Sequence, residues 1–319
     1  MRRAPLFLLA ALLAASVAAT QPAAPAERSV PARLASKSLL LDIVRSGNTL
    51  VAVGERGHIL SSQDGGASWK QADVPTRSTL TGVAFVTPKV GVAVGHDAVI
   101  VRTTDGGATW QRVHWAPEDE APLLDVVFLD ANRGLAIGAY GTALVTTDGG
   151  ATWADQTISG EDFHLNQIAS APAGRLYIAG ESGTAYRSDD GGATWTPLQT
   201  PYEGSFFGVL PVENDVVLLF GLRGNLYRSE DAGASWTRVE TGTVAMLNSG
   251  VRLPDGRIAI VGLGGVVLVS DDGGRTFALW QQETRAGIQA LADGGGGRLA
   301  IVGEGGARQL SLNDFRKDR

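Results

Sequence analysis

One eight-residue phrase constrains this chain more than any other feature: Ser62-Gln63-Asp64-Gly65-Gly66-Ala67-Ser68-Trp69. Five further copies follow with small changes. The aspartates fall at Asp64, Asp105, Asp148, Asp190, Asp231 and Asp272, and the closing aromatics at Trp69, Trp110, Trp153, Trp195, Trp236 and Phe277. The steps between aspartates are 41, 43, 42, 41 and 41 residues. A constant period of this length marks a repeat architecture, in which each copy buries its apolar face against the next.

The phrase reads as a self-bonded turn. An aspartate accepts hydrogen bonds from the backbone of its own turn, and glycines supply left-handed positions that side chains resist. Ser or Thr hydroxyls tie the ends together. The aromatic residue then opens a strand and anchors it to a neighbour. About ten residues upstream travels a second phrase, as in Val53-Gly54-Glu55-Arg56-Gly57 or Phe220-Gly221-Leu222-Arg223-Gly224. It is present seven times, ending with Val302-Gly303-Glu304-Gly305-Gly306, so the unit is repeated seven times and the last copy is incomplete.

Each unit holds four short apolar strokes separated by turns, with no long amphipathic helical periodicity. Four antiparallel strands per period are what a propeller blade requires. The expected fold is all-β: a seven-bladed β-propeller of four-stranded blades over residues 36–312. The seventh unit lacks its aspartate turn, and Ser311-Leu312-Asn313-Asp314 is at most a relic of one. An open outer edge would be sticky, so the segment around residues 29–35 is expected to pair there as a closing strand. Residues 20–35 otherwise read as an Ala- and Pro-rich tether, and 313–319 as a tail.

Met1-Arg2-Arg3, an apolar run and small residues before position 19 read as a secretory signal over residues 1–19. Losing Arg2 and Arg3 with it takes the net charge from −6 to −8. An acidic exported chain is a poor nucleic-acid binder. The absence of cysteine excludes a disulfide framework, a lipid-attachment thiol and thiol chemistry. The expectation is a monomeric protein, periplasmic or otherwise exported and soluble once the signal is cleaved.

Chemistry has little purchase here. The aspartate turns lack the ligand spacing of a calcium loop, and the Gly-x-x-Gly phrases lead into strands rather than a phosphate-binding helix. No metal or cofactor site is expected. Glu118, Asp119, Glu120, Glu161 and Asp162 offer the paired carboxylates a glycosidase would need, yet they fall in the links between units. One position in each innermost strand is small or polar: Asp42, Gly82, Asp125, Gln167, Gly208, Ser249 and Gln289. These residues are expected to ring a central channel. The links between units and the turns between second and third strands should share one face. That face would present Arg56, Arg77, His96, Asp97, Tyr140, Tyr202, Phe206, Phe207, Arg223 and Arg285, residue types favoured at protein interfaces.

The Ser/Thr-x-Asp-x-Gly-x-Ser/Thr-Trp/Phe boxes resemble those of the Asp-box (BNR) propellers. With the coupled Val53-Gly54-Glu55-Arg56-Gly57 phrase, the chain is most similar to the photosystem II stability and assembly factor family. The resemblance covers about residues 36–310. It implies an exported, non-catalytic propeller that binds or helps assemble a membrane-protein complex through a basic patch on one face. Asp boxes also occur in sialidases and other glycosidases, so the alternatives are a sialidase-like glycoside hydrolase or a polysaccharide-binding module on the same propeller. The Arg-Ile-Pro motif of the sialidases is missing from this sequence. A binding module would use Tyr140, Tyr202 and Phe206.

Overall fold

A computed structural model describes residues 27–213 and 215–312. The signal segment, the first part of the tether and the tail lie outside the described residues. The described chain is built from short strands and single 3-10 turns. Blade 1 sets the pattern: β1 (Leu40–Ser46), β2 (Thr49–Gly54), β3 (Ile59–Ser62) and β4 (Lys70–Gln71) pair in chain order as an antiparallel meander. Five more blades repeat it, and the seventh has three strands among the described residues.

The seven innermost strands stand side by side, each packed on the next, and the strand of blade 7 (Ile288–Gly295) packs on β1 to complete the circle. The apolar residues form seven clusters, each at a seam between two blades, rather than one central core. The cluster at the closing seam joins Leu40, Ile43, Leu50 and Leu60 of blade 1 to Ala290, Ala292, Ala300 and Val302 of blade 7. A single blade would leave both faces of such a sheet wet, so burial is obtained only when the neighbours are in place.

The repeated turn behaves as its residues imply. In blade 1, Asp64 Oδ1 accepts from Ser68 N (2.9 Å) and Ser62 Oγ (2.7 Å), and its Oδ2 accepts from Ser68 Oγ (2.5 Å). Ser62 Oγ in turn accepts from Gly66 N at 2.8 Å, and Trp69 Nε1 donates to Gly66 O at 3.1 Å. Each box aromatic then packs into the seam with the preceding blade: Trp69 at the closing seam, Trp110 at the next, and so on to Phe277.

The glycine that opens the second phrase has a different cause. At Gly54 and Gly221 the backbone is extended, open to any residue, but a Cβ would stand 2.2 Å from Leu39 O and 2.3 Å from Ser205 O. The turn is pressed against the backbone entering its own blade, and only glycine leaves room.

Two expectations need correction at the closing seam. Residues 29–35 do not become a fourth strand on blade 7. Ser29 N instead donates to Val74 O (2.8 Å), Val74 N to Ser29 Oγ (3.0 Å) and Gln71 Nε2 to Val30 O (3.0 Å), all along the outer edge of blade 1. Pro31 carries no N–H, which interrupts any regular ladder there. The segment still helps close the ring: Ala35 is buried in the closing cluster and Ser36 O accepts from Ala307 N of blade 7 at 2.8 Å. The second correction concerns Ser311. Strand register matches Leu310, not Ser311, to Ser62 of blade 1. Leu310 and Leu312 pack into the seam between blades 6 and 7, so an apolar contact occupies the place of the box.

Thr146 tests the turn. Its buried Oγ1 accepts from Gly150 N at 2.9 Å. Thr146→Val keeps the volume but strands that N–H, and equilibrium unfolding in denaturant should show a loss of about 1–3 kcal/mol.

Candidate functional site: the channel and the link face

The links and the second-to-third turns do share one face, tied by backbone hydrogen bonds such as Ala116 N to Asp97 O (3.0 Å), Gly141 N to Phe163 O (2.9 Å) and Gly183 N to Gly204 O (3.0 Å). At its centre the links enter the channel, where a cavity of about 230 Å³ is lined by Leu41, Leu124, Phe207 and Met246 together with Asp42, Asp125, Gln167 and Gln289.

Each innermost strand slips register one residue after it begins, as between Leu40 and Asp42 or between Ile288 and Ala290. That irregularity turns two successive side chains toward the channel. The ring position is therefore Asp42, Gly82, Asp125, Gln167, Gly208, Ser249 and Ala290. Gln289, assigned to the ring from sequence, sits instead at the bulge, level with Leu41, Thr81, Leu124, Asn166, Phe207 and Asn248.

These side chains stitch blade to blade, because the inner edge of each sheet has N–H and C=O groups with no strand to pair them. Asp42 Oδ2 accepts from Val83 N of blade 2 (2.8 Å), Asp125 Oδ2 from Ile168 N of blade 4 (2.9 Å), and Gln167 Oε1 from Val209 N of blade 5 (2.7 Å). Thr81 Oγ1 donates to Leu123 O of blade 3 at 2.7 Å, and Asn248 Nδ2 to Ile288 O of blade 7 at 2.8 Å. Blade 2 contributes only Gly82 to the ring, where a Cβ would stand 3.3 Å from Asp125 Oδ1. Asp42 and Asp125 therefore lie in each other's field. Burial pushes Asp42 up to about 6, against the pull of Val83 N and Ile43 N. Burial first, and the Asp42 charge second, push Asp125 up to about 8. The box aspartates move the other way: hydrogen bonds from Ser68 and its equivalents hold them below the usual carboxylate range.

The predicted interface residues divide. Arg56, Arg77, His96, Asp97, Tyr140, Arg223 and Arg285 are exposed on the link face. Arg77 lies 3.9 Å from Glu27, and Asp97 accepts from Ser78 Oγ at 2.5 Å. Tyr140 is 60 % exposed, its ring meeting His164 edge-on at 5.0 Å. Tyr202 is half-buried against Tyr227, and Phe207 lines the channel. Phe206 is not a surface residue: it holds the strand-opening position of Leu40, points into the seam between blades 4 and 5 and is fully buried. A ladder position, not hydrophobicity, decides which of two adjacent phenylalanines shows.

Backbone strain marks this face in a way the sequence did not reveal. The tips of five turns, Arg56, Asp97, Tyr140, Ser182 and Arg223, are left-handed with φ of 53–59°. The equivalent tip of blade 6 is Gly264, at φ 65°. A non-glycine residue there costs of order 1 kcal/mol or more, and such residues gather at functional surfaces.

Sequence reasoning also missed the arginines of the opposite face. Arg175 pairs with Asp189 and Asp215 (both 2.7 Å), Arg187 with Asp189 (2.9 Å), and Arg228 and Arg275 with Glu230. Arg187 and Arg228 also donate to the box-turn carbonyls of the next blade, Ala232 O and Gly273 O, strapping blades 4, 5 and 6 together. Their sequence signal is an arginine one place before the box. The carboxylates considered for glycoside cleavage, Glu118, Asp119, Glu120, Glu161 and Asp162, are exposed on links and do not line the channel cavity. Among the described residues no three His, Cys, Asp or Glu side chains are grouped to hold a metal ion, and no helix is long and apolar enough to cross a membrane.

The family profile of the photosynthesis system II assembly factor YCF48 matches residues 66–123 and 114–319. The chain belongs to this family. Among solved structures, YCF48 bound to a D1 peptide is 18 % identical, with a TM-score of 0.70 over 92 % of this chain and 98 % of that one. YCF48 from Cyanidioschyzon merolae is 19 % identical, with a TM-score of 0.68 over 90 % and 99 %. The WD40 propeller domain of Doa1 reaches the same 0.70 at 12 % identity, over 90 % of this chain and 96 % of that one, so this likeness reports the shared wheel. No curated protein matches the chain in sequence. In this chain Arg175, Arg187, Arg228 and Arg275 lie along blades 4 to 6 on the box face.

The titrating groups set a stability optimum. The unfolded carboxylate value is near 3.9. Raised groups stabilise fully below that value and lose the contribution as pH rises through their folded values, here about 6 and about 8. Depressed box aspartates stabilise above it and lose the contribution on further acidification. Thermal unfolding should thus peak in mild acid and fall from about pH 5 to about pH 9, and Asp125→Asn should flatten most of that alkaline fall.

Proposed function

We propose that this protein is a non-catalytic, exported scaffold that holds a segment of a membrane-protein complex subunit against its link face while the complex is assembled. The observation that carries this reading is the ring of left-handed turn tips. Glycine would fill those positions without strain, as Gly264 does, yet the sequence keeps Arg56, Asp97, Tyr140 and Arg223, all exposed. Family membership supports a protein partner, and the relative bound to a D1 peptide supports a peptide segment of a membrane protein as the ligand class. A cavity floored by Leu41, Leu124, Phe207 and Met246 adds apolar surface at the centre of the same face.

The geometry provides its own test. Replacing Arg56, Tyr140 and Arg223 together by Gly removes the side chains while relieving strain, so the unfolding temperature should hold or rise. Site-specific crosslinking in the native host should then lose the membrane-protein subunit captured by the wild type. An unchanged crosslink pattern would place the docking surface elsewhere.

The arginines of the box face support a second reading, in which an acidic segment docks there. Arg228, Arg238 and Arg275 line a cavity of about 330 Å³ with Glu230 as its acid. Arg238→Glu should abolish the same crosslink if this face is the dock and leave it intact if the turn tips are.

A further inference from the structure

The channel ring carries charge that its stitching does not need. In blade 4 the neutral amide of Gln167 binds the next blade, its Oε1 accepting from Val209 N at 2.7 Å. The ring position of blade 5 is Gly208, with no side chain to make such a bond. Blades 1 and 3 use carboxylates for the same work. Asp42 accepts from Ile43 N and Val83 N, both at 2.8 Å, and Asp125 from Val126 N (2.8 Å) and Ile168 N (2.9 Å). Only Gly82 separates the two acids on the ring, and they lie in each other's field. Holding two carboxylates in one poorly solvated space costs free energy that an amide at either place would spare. A carboxylate has about four lone-pair sites. Two on each are taken by the backbone donors, so both acids keep acceptor capacity for a donor in the channel.

Room adjoins them. Asp42 and Asp125 are half-buried, and both line the channel cavity of about 230 Å³. That volume is below the roughly 300–1,000 Å³ of a small-molecule pocket, so it has space for one side chain rather than a folded element. One residue toward the link face, Leu41, Leu124 and Phe207 give the same cavity an apolar wall, joined by Met246. Among the described residues no Lys, Arg or His lines it. An apolar wall beside paired carboxylates matches a primary ammonium on an alkyl stem, the end of a lysine side chain. A hard divalent cation fits less well, because it takes about six or more oxygen ligands. Among the described residues no third acidic, His or Cys side chain joins Asp42 and Asp125.

We propose that the channel cavity is a socket for an alkylammonium group, gripped between Asp42 and Asp125 with its stem against Leu124 and Phe207. A lysine of the segment held on the link face is the source of that group; the source rests on the docking reading above, whereas the socket does not. Its grip depends on pH. The two acids face each other and the four backbone N–H donors already named, and no other charged side chain lines the cavity. Raised to about 6 and about 8, the pair still holds about one proton at pH 7. A nearby cation favours the ionised form, so binding releases that proton and tightens as pH rises.

The test titrates the full chain with n-butylammonium chloride, against sodium chloride at equal ionic strength and against butan-1-ol. The expected result is a saturable rise in unfolding temperature at pH 8 with the amine, and none with the salt or the alcohol. Calorimetry at pH 7 in phosphate and in HEPES should show release of up to about one proton per amine bound. Affinity should rise by up to about tenfold per unit between about pH 6 and about pH 8. Asp42→Gln, which copies the neutral amide of Gln167, should weaken amine binding by at least about tenfold, the scale of one lost charge-assisted hydrogen bond. If that variant does not fold, proton release by the wild type decides alone. The proposal is overturned if the salt or the alcohol acts as the amine does, if no proton is released, or if folded Asp42→Gln binds as tightly as the wild type. A larger response to calcium chloride than to the amine would reject the ammonium assignment. Amine binding together with an unchanged crosslink in the turn-tip variant would reject the docking surface and leave the socket standing.

Discussion

A blade in this molecule has no inside of its own. Its four strands form one layer, and the apolar side chains on each face, such as Leu60 on one side of blade 1 and Val51 on the other, are buried only by the blade on that side. The fold therefore stands or falls on closure. The seam between blades 7 and 1 is as much core as any other, and the segment ending at Ser36 helps to hold it.

Closure also explains the polar chemistry at the axis. Crowding seven inner strands around one channel leaves their edges facing neighbours at an angle that permits no ladder. Asp42, Thr81, Asp125, Gln167 and Asn248 reach across instead, each binding backbone of the next blade. The same burial that makes those bonds useful raises the two aspartates. The channel acids and the box acids consequently respond to pH in opposite senses, though both serve to join backbone segments.

Much of this was legible in the chain. A turn repeated at a near-constant stride, with its hydroxyl, aspartate and aromatic in fixed order, gave the blade count and the identity of the box residues, because every partner of Asp64 lies within four residues of it. The sharing of one face by turns and links followed from the meander alone. What was misread had a common source. Gln289 was displaced by one position because a bulge cannot be seen in a sequence, and Phe206 was exchanged for its neighbour's role for the same reason. Pro31 did signal that residues 29–35 would make a poor strand, but the edge that receives them is set by which surface lies nearby.

Sequence by itself thus determined the local units, because their hydrogen bonds and capping are satisfied within one turn of chain. Tertiary structure alone decided what the units do to one another. It brought Asp42 into the field of Asp125 across Gly82, and joined the arginines of blades 4 to 6 into straps. It likewise set the Arg308 guanidinium beside Gln282, to whose Oε1 its Nη1 donates. Those pairings depend on register and on the angle between blades, and neither is encoded in the residues of any one repeat.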